Sequence, residues 1–202
     1  MVPIVCIVGT SGVGKTYVME RLVAELKSRG YRVATIKHSV SGFDIDHEGK
    51  DTWRYARAGS DTVVMSSPQK LAMIKKVDHD QTLAQLYRFI GVDFDIILAE
   101  GFKQDKSDKI EVHRKELGPD LLCTQEELLA IVTDEKLDLD VPQYSLEDAR
   151  GLADLVEKRY IKKAEKDVVT LYVNEEPIPL NPFVRDFISK TLFGMISALK
   201  NV

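Results

Sequence analysis

Five apolar residues in a row, Ile4-Val5-Cys6-Ile7-Val8, stand near the start of the chain and give way to a glycine-rich string and then a helical pattern. A short unbroken apolar run closed by glycine predicts a strand buried on both faces. Val18, Leu22 and Leu26 then fall on one stripe at helical spacing, with Met19 and Val23 beside it and Gly30 placed to stop the helix. Arg32–Ile36 predicts a second buried strand. Residues 39–51 are polar, punctuated by glycine and without helical period, so a functional loop is expected there. A short helix with Trp53, Tyr55 and Ala56 should follow and end at Gly59. Asp61–Ser66 and Leu71–Ile74 predict strands joined by a turn at Ser67-Pro68, and Thr82–Ile90 predicts a helix closed by Gly91.

Asp95-Ile96-Ile97-Leu98-Ala99-Glu100-Gly101 repeats the opening pattern: four apolar residues that imply burial on both faces, then an acid and a glycine. Lys109–His113 and Leu128–Thr133 are further strands. Ser145-Leu146-Glu147-Asp148 reads as a capping box with Asp148 at its third position, opening a helix to about Tyr160. Strands alternating with helices predict an α/β fold, a mostly parallel sheet with helices on both faces. Beyond the charged stretch 162–167 the character changes. Val168–Val173 is β-branched and aromatic, a turn is expected at Asn174–Pro177, and Ile178-Pro179-Leu180 returns as a short edge strand. Asn181-Pro182 supplies an N-cap and first-turn proline for a last helix. Its stripe of Phe183, Val184, Phe187, Ile188, Leu192, Met195, Ile196 and Leu199 is too broad to leave in water. Packing on the main domain or burial in a partner subunit would each cover it. The division expected is a nucleotide-binding domain over 1–161 and a hairpin-helix extension over 168–202.

Composition narrows the classes. The 202 residues are 44% hydrophobic, enough for one α/β domain with a small appendage. A net charge of −4 gives no electrostatic reason to bind nucleic acid or an anionic membrane. Cys6 and Cys123 are far apart and have no partner at metal spacing, which suits a reducing compartment. The four histidines (38, 47, 79 and 113) show no zinc-ligand spacing. The opening apolar run is too short for a signal peptide, and none is long enough to span a bilayer. A cytoplasmic protein is expected.

The chemistry begins at Gly9-Thr10-Ser11-Gly12-Val13-Gly14-Lys15-Thr16, which fits G-x-x-x-x-G-K-[ST] at every fixed position between a predicted strand and a predicted helix. Glycines let successive backbone N–H groups turn inward on an anion, and the helix adds its positive end. Ser11, Gly12, Val13, Gly14, Lys15 and Thr16 form the expected phosphate cradle. Lys15 would reach the β- and γ-phosphates, and the Thr16 hydroxyl would coordinate Mg²⁺. Glu100, at the carboxyl end of a buried strand, is the expected acid on the metal side, holding Mg²⁺ or the attacking water. Lys15 and Glu100 are thus the catalytic candidates. Lys37-His38 ends another strand at the edge where α/β sheets present ligand groups, which makes His38 a candidate nucleotide contact. His38, Asp44, Asp46, Lys50 and Asp51 crowd a segment that in phosphate-loop proteins covers the nucleotide and adds a second Mg²⁺ contact.

Taken together, Gly9–Thr16, the block Lys37-His38, Asp44-x-Asp46 and Gly49-Lys50-Asp51-Thr52, the following Arg57-Ala58-Gly59, and Ala99-Glu100-Gly101-Phe102-Lys103 resemble the MobB family of molybdopterin-guanine dinucleotide biosynthesis adapters over residues 1–160. Thr133-Asp134 and Val141-Pro142 also sit where such proteins have them. The resemblance implies a P-loop protein that binds GTP and Mg²⁺ and assists a partner guanylyltransferase in attaching GMP to molybdopterin, with weak GTPase activity at most. It also implies a homodimer, and it makes Asp46 a second carboxylate near the metal. Guanine preference rests on this resemblance, since no Asn/Thr-Lys-x-Asp motif is present. Two other functions share the phosphate loop. A small-metabolite kinase would need arginines near the γ-phosphate, and only Arg54 and Arg57 lie close in sequence. A GTPase for metallocentre insertion would carry a His-rich tract or Cys-Pro-Cys, and neither is found.

Overall fold

The computed structural model describes residues 2–161, 169, 171–173 and 176–199. In chain order these form β1 (Ile4–Val8), α1 (Lys15–Ser28), β2 (Val33–Lys37), α2 (Asp51–Arg57), β3 (Thr62–Ser66), β4 (Leu71–Lys75), α3 (Leu83–Ile90), β5 (Ile96–Glu100), β6 (Lys109–His113), β7 (Leu128–Thr133), β8 (Gln143–Tyr144), α4 (Ala149–Val156), β9 (Leu171–Val173), β10 (Glu176–Ile178) and α5 (Pro182–Ser197). They fall into two compact units, Met1–His38 with Leu83–Val202, and Ser39–Thr82.

The larger unit is built on a six-stranded sheet in the order β2-β5-β1-β6-β7-β8, and every pairing in it is parallel. The α/β reading holds. Alternating side chains of the central strands point to two cores. On one face Val5, Ile7, Leu98, Ile110 and Val132 pack with Val18, Leu22 and Leu26 of α1 and with Leu152 and Val156 of α4. On the other, Cys6, Val8, Ile36, Ile97 and Ala99 meet Leu83 and Tyr87 of α3. This two-sided cover is why β1 and β5 read as unbroken apolar runs.

Two expectations change. The strand expected to be buried at 32–36 is β2 at the sheet edge, where Thr35 and Lys37 are exposed and Ala34 and Ile36 are buried. The α4 cap is Asp148 itself, whose carboxylate accepts from Gly151 N at 2.9 Å, so no box opens at Ser145. The α-helix ends at Val156 and a π turn, Glu157–Ile161, follows.

β6 adds a feature that its sequence hides. Its alternate residues Lys109, Glu111 and His113 are almost fully buried. Lys109 Nζ donates to Asp105 O at 2.7 Å and Glu127 Oε1 at 3.0 Å. Glu111 accepts from Leu122 N at 2.7 Å and Cys123 N at 3.0 Å. A row that alternation would place in solvent therefore organises the loop between β6 and β7, each charge kept by a partner. Burial, with Asp105 and Glu111 as the respective acidic neighbours, pushes the Cys6 and Cys123 thiols up to about 12.

The unit Ser39–Thr82 has no helix or strand before α2, in keeping with the expected loop. It ends in the antiparallel hairpin β3–β4, whose turn Ser67 closes by accepting from Lys70 N on its hydroxyl at 3.0 Å. In the tail, β9 pairs antiparallel with β10, and the Asn181 side chain caps α5 by accepting from Val184 N at 2.9 Å. The return strand therefore lies at Glu176–Ile178, ahead of the expected 178–180, and the charged stretch 162–167 lies outside the described residues. None of α5's residues is buried, and Phe183 is 78% exposed. Of the two covers expected for this helix, packing on the main domain is not what the single chain shows.

Glu111→Ala should lower the unfolding free energy in a urea titration by about 1–3 kcal/mol, because two part-buried N–H donors lose the buried carboxylate that accepts from them. A change under about 0.5 kcal/mol would mean that those amides find other partners.

Candidate functional site

Parallel strands bring all their carboxyl ends to one edge of the sheet, and the loop from Gly9 to Gly14 rises there. Gly9 closes against the neighbouring strand: a Cβ on it would stand 2.5 Å from Val112 O, so no side chain fits. Gly12 and Gly14 hold φ of 77° and 104°, a region that costs other residues energy. Between them Val13 is buried in the core against α1 and pins the loop to the fold. Gly14 serves as the N-cap of α1 without a side-chain cap, which leaves the first-turn amides for an anion.

Lys15 folds back over the loop, donating to Gly9 O at 2.9 Å and Thr10 O at 2.7 Å. Burial lowers the ammonium pKa below the ordinary lysine value, Glu100 acts against this, and Lys37 adds to it. The carbonyls hold the ammonium beside the loop, where a triphosphate would offer stronger acceptors.

The pairing Ile7↔Glu100 sets the second strand. Glu100, its side chain only 12% exposed, lies 3.5 Å from the Thr16 hydroxyl and 3.3 Å from Lys37 Nζ. Hydroxyl and carboxylate together are the hard oxygen set that suits Mg²⁺, which keeps waters and takes phosphate oxygens for its other positions. Among the described residues no three His, Cys, Asp or Glu gather around one point, as is usual for such a phosphate-borne ion. The donors present fit the cation.

His38 N donates to Glu100 O at 3.1 Å, and its ring lies 4.9 Å from that of Phe102. Phe102 has a φ of 57°, and a Cβ on Gly101 would stand 3.2 Å from the His38 Cβ. Here His38 braces the turn after β5, next to Glu100. Asp46 belongs to the other unit. Its Oδ1 accepts from Thr52 Oγ1 at 3.0 Å and His47 N at 2.9 Å, while its Oδ2 is buried without a hydrogen bond. Ser11 is exposed at the loop tip.

Two residues with no sequence motif also flank the loop. A Cβ on Gly14 would lie 3.5 Å from Leu146 Cδ2 and 3.8 Å from Arg114 Nη2. The segment carrying Leu146 is tied to α1, with Tyr17 Oη donating to Glu147 at 2.7 Å and Arg21 paired to it at 3.1 Å. Only the β6 and β8 strand ends could have pointed to these residues.

The family model for molybdopterin guanine dinucleotide synthesis protein B, MobB, matches residues 4–134. The molybdopterin-guanine dinucleotide biosynthesis adapter protein of Haemophilus influenzae is 36% identical over 157 residues, covering 77% of this chain and 88% of that one. The adapter protein of that name from Escherichia coli is 32% identical over 161 residues, covering 77% and 92%. The crystal structure of Bacillus subtilis MobB superposes with a TM-score of 0.61 at 29% identity, covering 78% of this chain and 98% of that one.

Lys15→Ala should keep the fold, since this side chain touches only loop carbonyls, and should weaken triphosphate binding about 100-fold or more in calorimetry. Wild-type affinity should fall as pH rises through the lowered Lys15 pKa, because only the ammonium pairs with phosphate. A flat profile up to the ordinary lysine range would contradict the burial seen for Lys15.

Proposed function

Because the chain belongs to the MobB family, adapter proteins of molybdopterin guanine dinucleotide biosynthesis, we propose that its phosphate loop binds GTP with Mg²⁺ in support of the guanylyltransferase that joins GMP to molybdopterin. The observation that carries this reading is the loop closing on Thr16 with Glu100 at 3.5 Å. The amides of Ser11–Thr16 take the phosphate oxygens, Lys15 leaves the Gly9 and Thr10 carbonyls for the β- and γ-phosphates, and Thr16 with Glu100 holds the cation. Mg²⁺, when bound, neutralises charge on those phosphates. Lys37, 3.3 Å from Glu100, pairs with that carboxylate beside Thr16. Asp46 enters the proposal as a second acid for the cation on the family resemblance alone.

Hydrolysis is slow in this reading. Glu100 is committed to Lys37 and the cation rather than to activating water, so GTP serves as a bound partner more than as fuel. The working form is a cytoplasmic homodimer. The exposed Phe183, Phe187 and Met195 of α5 give that dimer an apolar surface, and no described helix is long and apolar enough to cross a membrane.

The test is calorimetry of GTP with and without Mg²⁺. Glu100→Ala should retain GTP binding while losing most of its Mg²⁺ dependence, a drop of about tenfold in the Mg²⁺ effect. An unchanged Mg²⁺ titration removes Glu100 from the cation. Truncation after Lys166 should turn dimer into monomer in light scattering; a dimer that survives moves the interface away from α5.

A further inference from the structure

Lys37 closes β2, and the parallel register sets it opposite Glu100 at the end of β5. Val33 and Leu98, an even number of residues earlier on the two strands, pack in the core against α1. Alternation therefore sends Lys37 and Glu100 to that same face of the sheet. There Glu100 divides its carboxylate: Oε2 lies 3.5 Å from the Thr16 hydroxyl, and Oε1 lies 3.3 Å from Lys37 Nζ. Burial lowers the Lys15 pKa most, and Glu100 and Lys37 then act on that ammonium in opposite senses. All three charges thus meet at the first turn of α1.

The two partners of this ion pair are held unequally. The Glu100 side chain is 12% exposed, while that of Lys37 is 65% exposed. A pair with one end in water adds little to stability, so holding the fold does not account for it. A carboxylate largely withdrawn from water, by contrast, needs a cation beside it. Lys37 is the cation that the chain itself supplies, carried on a flexible stem that can swing away.

Resting on the reading of the loop and Glu100 as a site for Mg²⁺ and a triphosphate, we infer that Lys37 is a tethered stand-in for the metal and makes the site select triphosphate over diphosphate. In the empty site its ammonium neutralises Glu100. Lys37 resists a divalent ion that arrives alone, because yielding Glu100 would leave its ammonium beside a second positive charge. When a triphosphate is bound, the terminal phosphate gives Lys37 a new anionic partner, and Glu100 is released to the cation. A diphosphate offers no such group, so Lys37 keeps its hold on Glu100. The selectivity is the difference between one lysine's partners in two states.

The experiment titrates Mn²⁺ alone into the full chain, Lys37→Met and Lys37→Arg, reading the free ion by electron paramagnetic resonance. Calorimetry on the same proteins gives the affinities for GTP and GDP with Mg²⁺. Lys37→Met should bind Mn²⁺ about threefold or more tighter than wild type, since Glu100 is no longer occupied. Its preference for GTP over GDP should fall by about tenfold. A gain of metal binding cannot come from misfolding. Lys37→Arg should keep the wild-type pattern, and adding Glu100→Gln to Lys37→Met should abolish the gain. If either shift is missing, if Lys37→Arg behaves as Lys37→Met, or if the double variant keeps the gain, the inference fails while the loop reading stands. If the wild type binds neither nucleotide, the loop reading falls and the inference with it.

Discussion

The parallel pairing of β1 with β5 is the constraint on which the site depends. Register fixes which side chains share the sheet edge, and Ile7 opposite Glu100 places the carboxylate beside the first turn of α1. A slip of one residue would turn Glu100 to the opposite face and leave Thr16 facing backbone alone. Apolar contact on both faces of β1 and β5 holds the register, so the core and the proposed cation site rest on the same packing.

That dependence explains how much was legible in the sequence. Strands buried on both faces are dense in Val, Ile and Leu, and α1 shows one clean stripe, so β1, β5, β7 and α1 could be placed from pattern alone. The phosphate loop and Glu100 then followed from position, one after a strand and one at a strand end. Edges and covers carry weaker signals. β2 resembles an inner strand in composition because one of its faces still meets α3 through Ile36. The burial of Lys109, Glu111 and His113 of β6 has no sequence signal, since nothing local announces the loop that satisfies them. Arg114 and Leu146 lie on loops whose place beside Gly14 comes from the order of strands in space, and strand order is a long-range property.

The same physics divides the larger unit into working parts. Glycine strain, backbone amides and an ammonium make one end of the sheet edge suited to anions. β6 pairs with β1 beside it and carries the buried polar row of Lys109, Glu111 and His113. The Haemophilus influenzae and Escherichia coli relatives each cover 77% of the chain.

The most direct test of the central claim is the electron paramagnetic resonance spectrum of Mn²⁺ substituted for Mg²⁺, recorded with GTP and the full chain. The account predicts one tightly bound Mn²⁺ per chain, coupled to the phosphorus nuclei of the nucleotide, and loss of the protein-bound signal in Glu100→Ala. A Mn²⁺–GTP spectrum identical with and without the protein would contradict it.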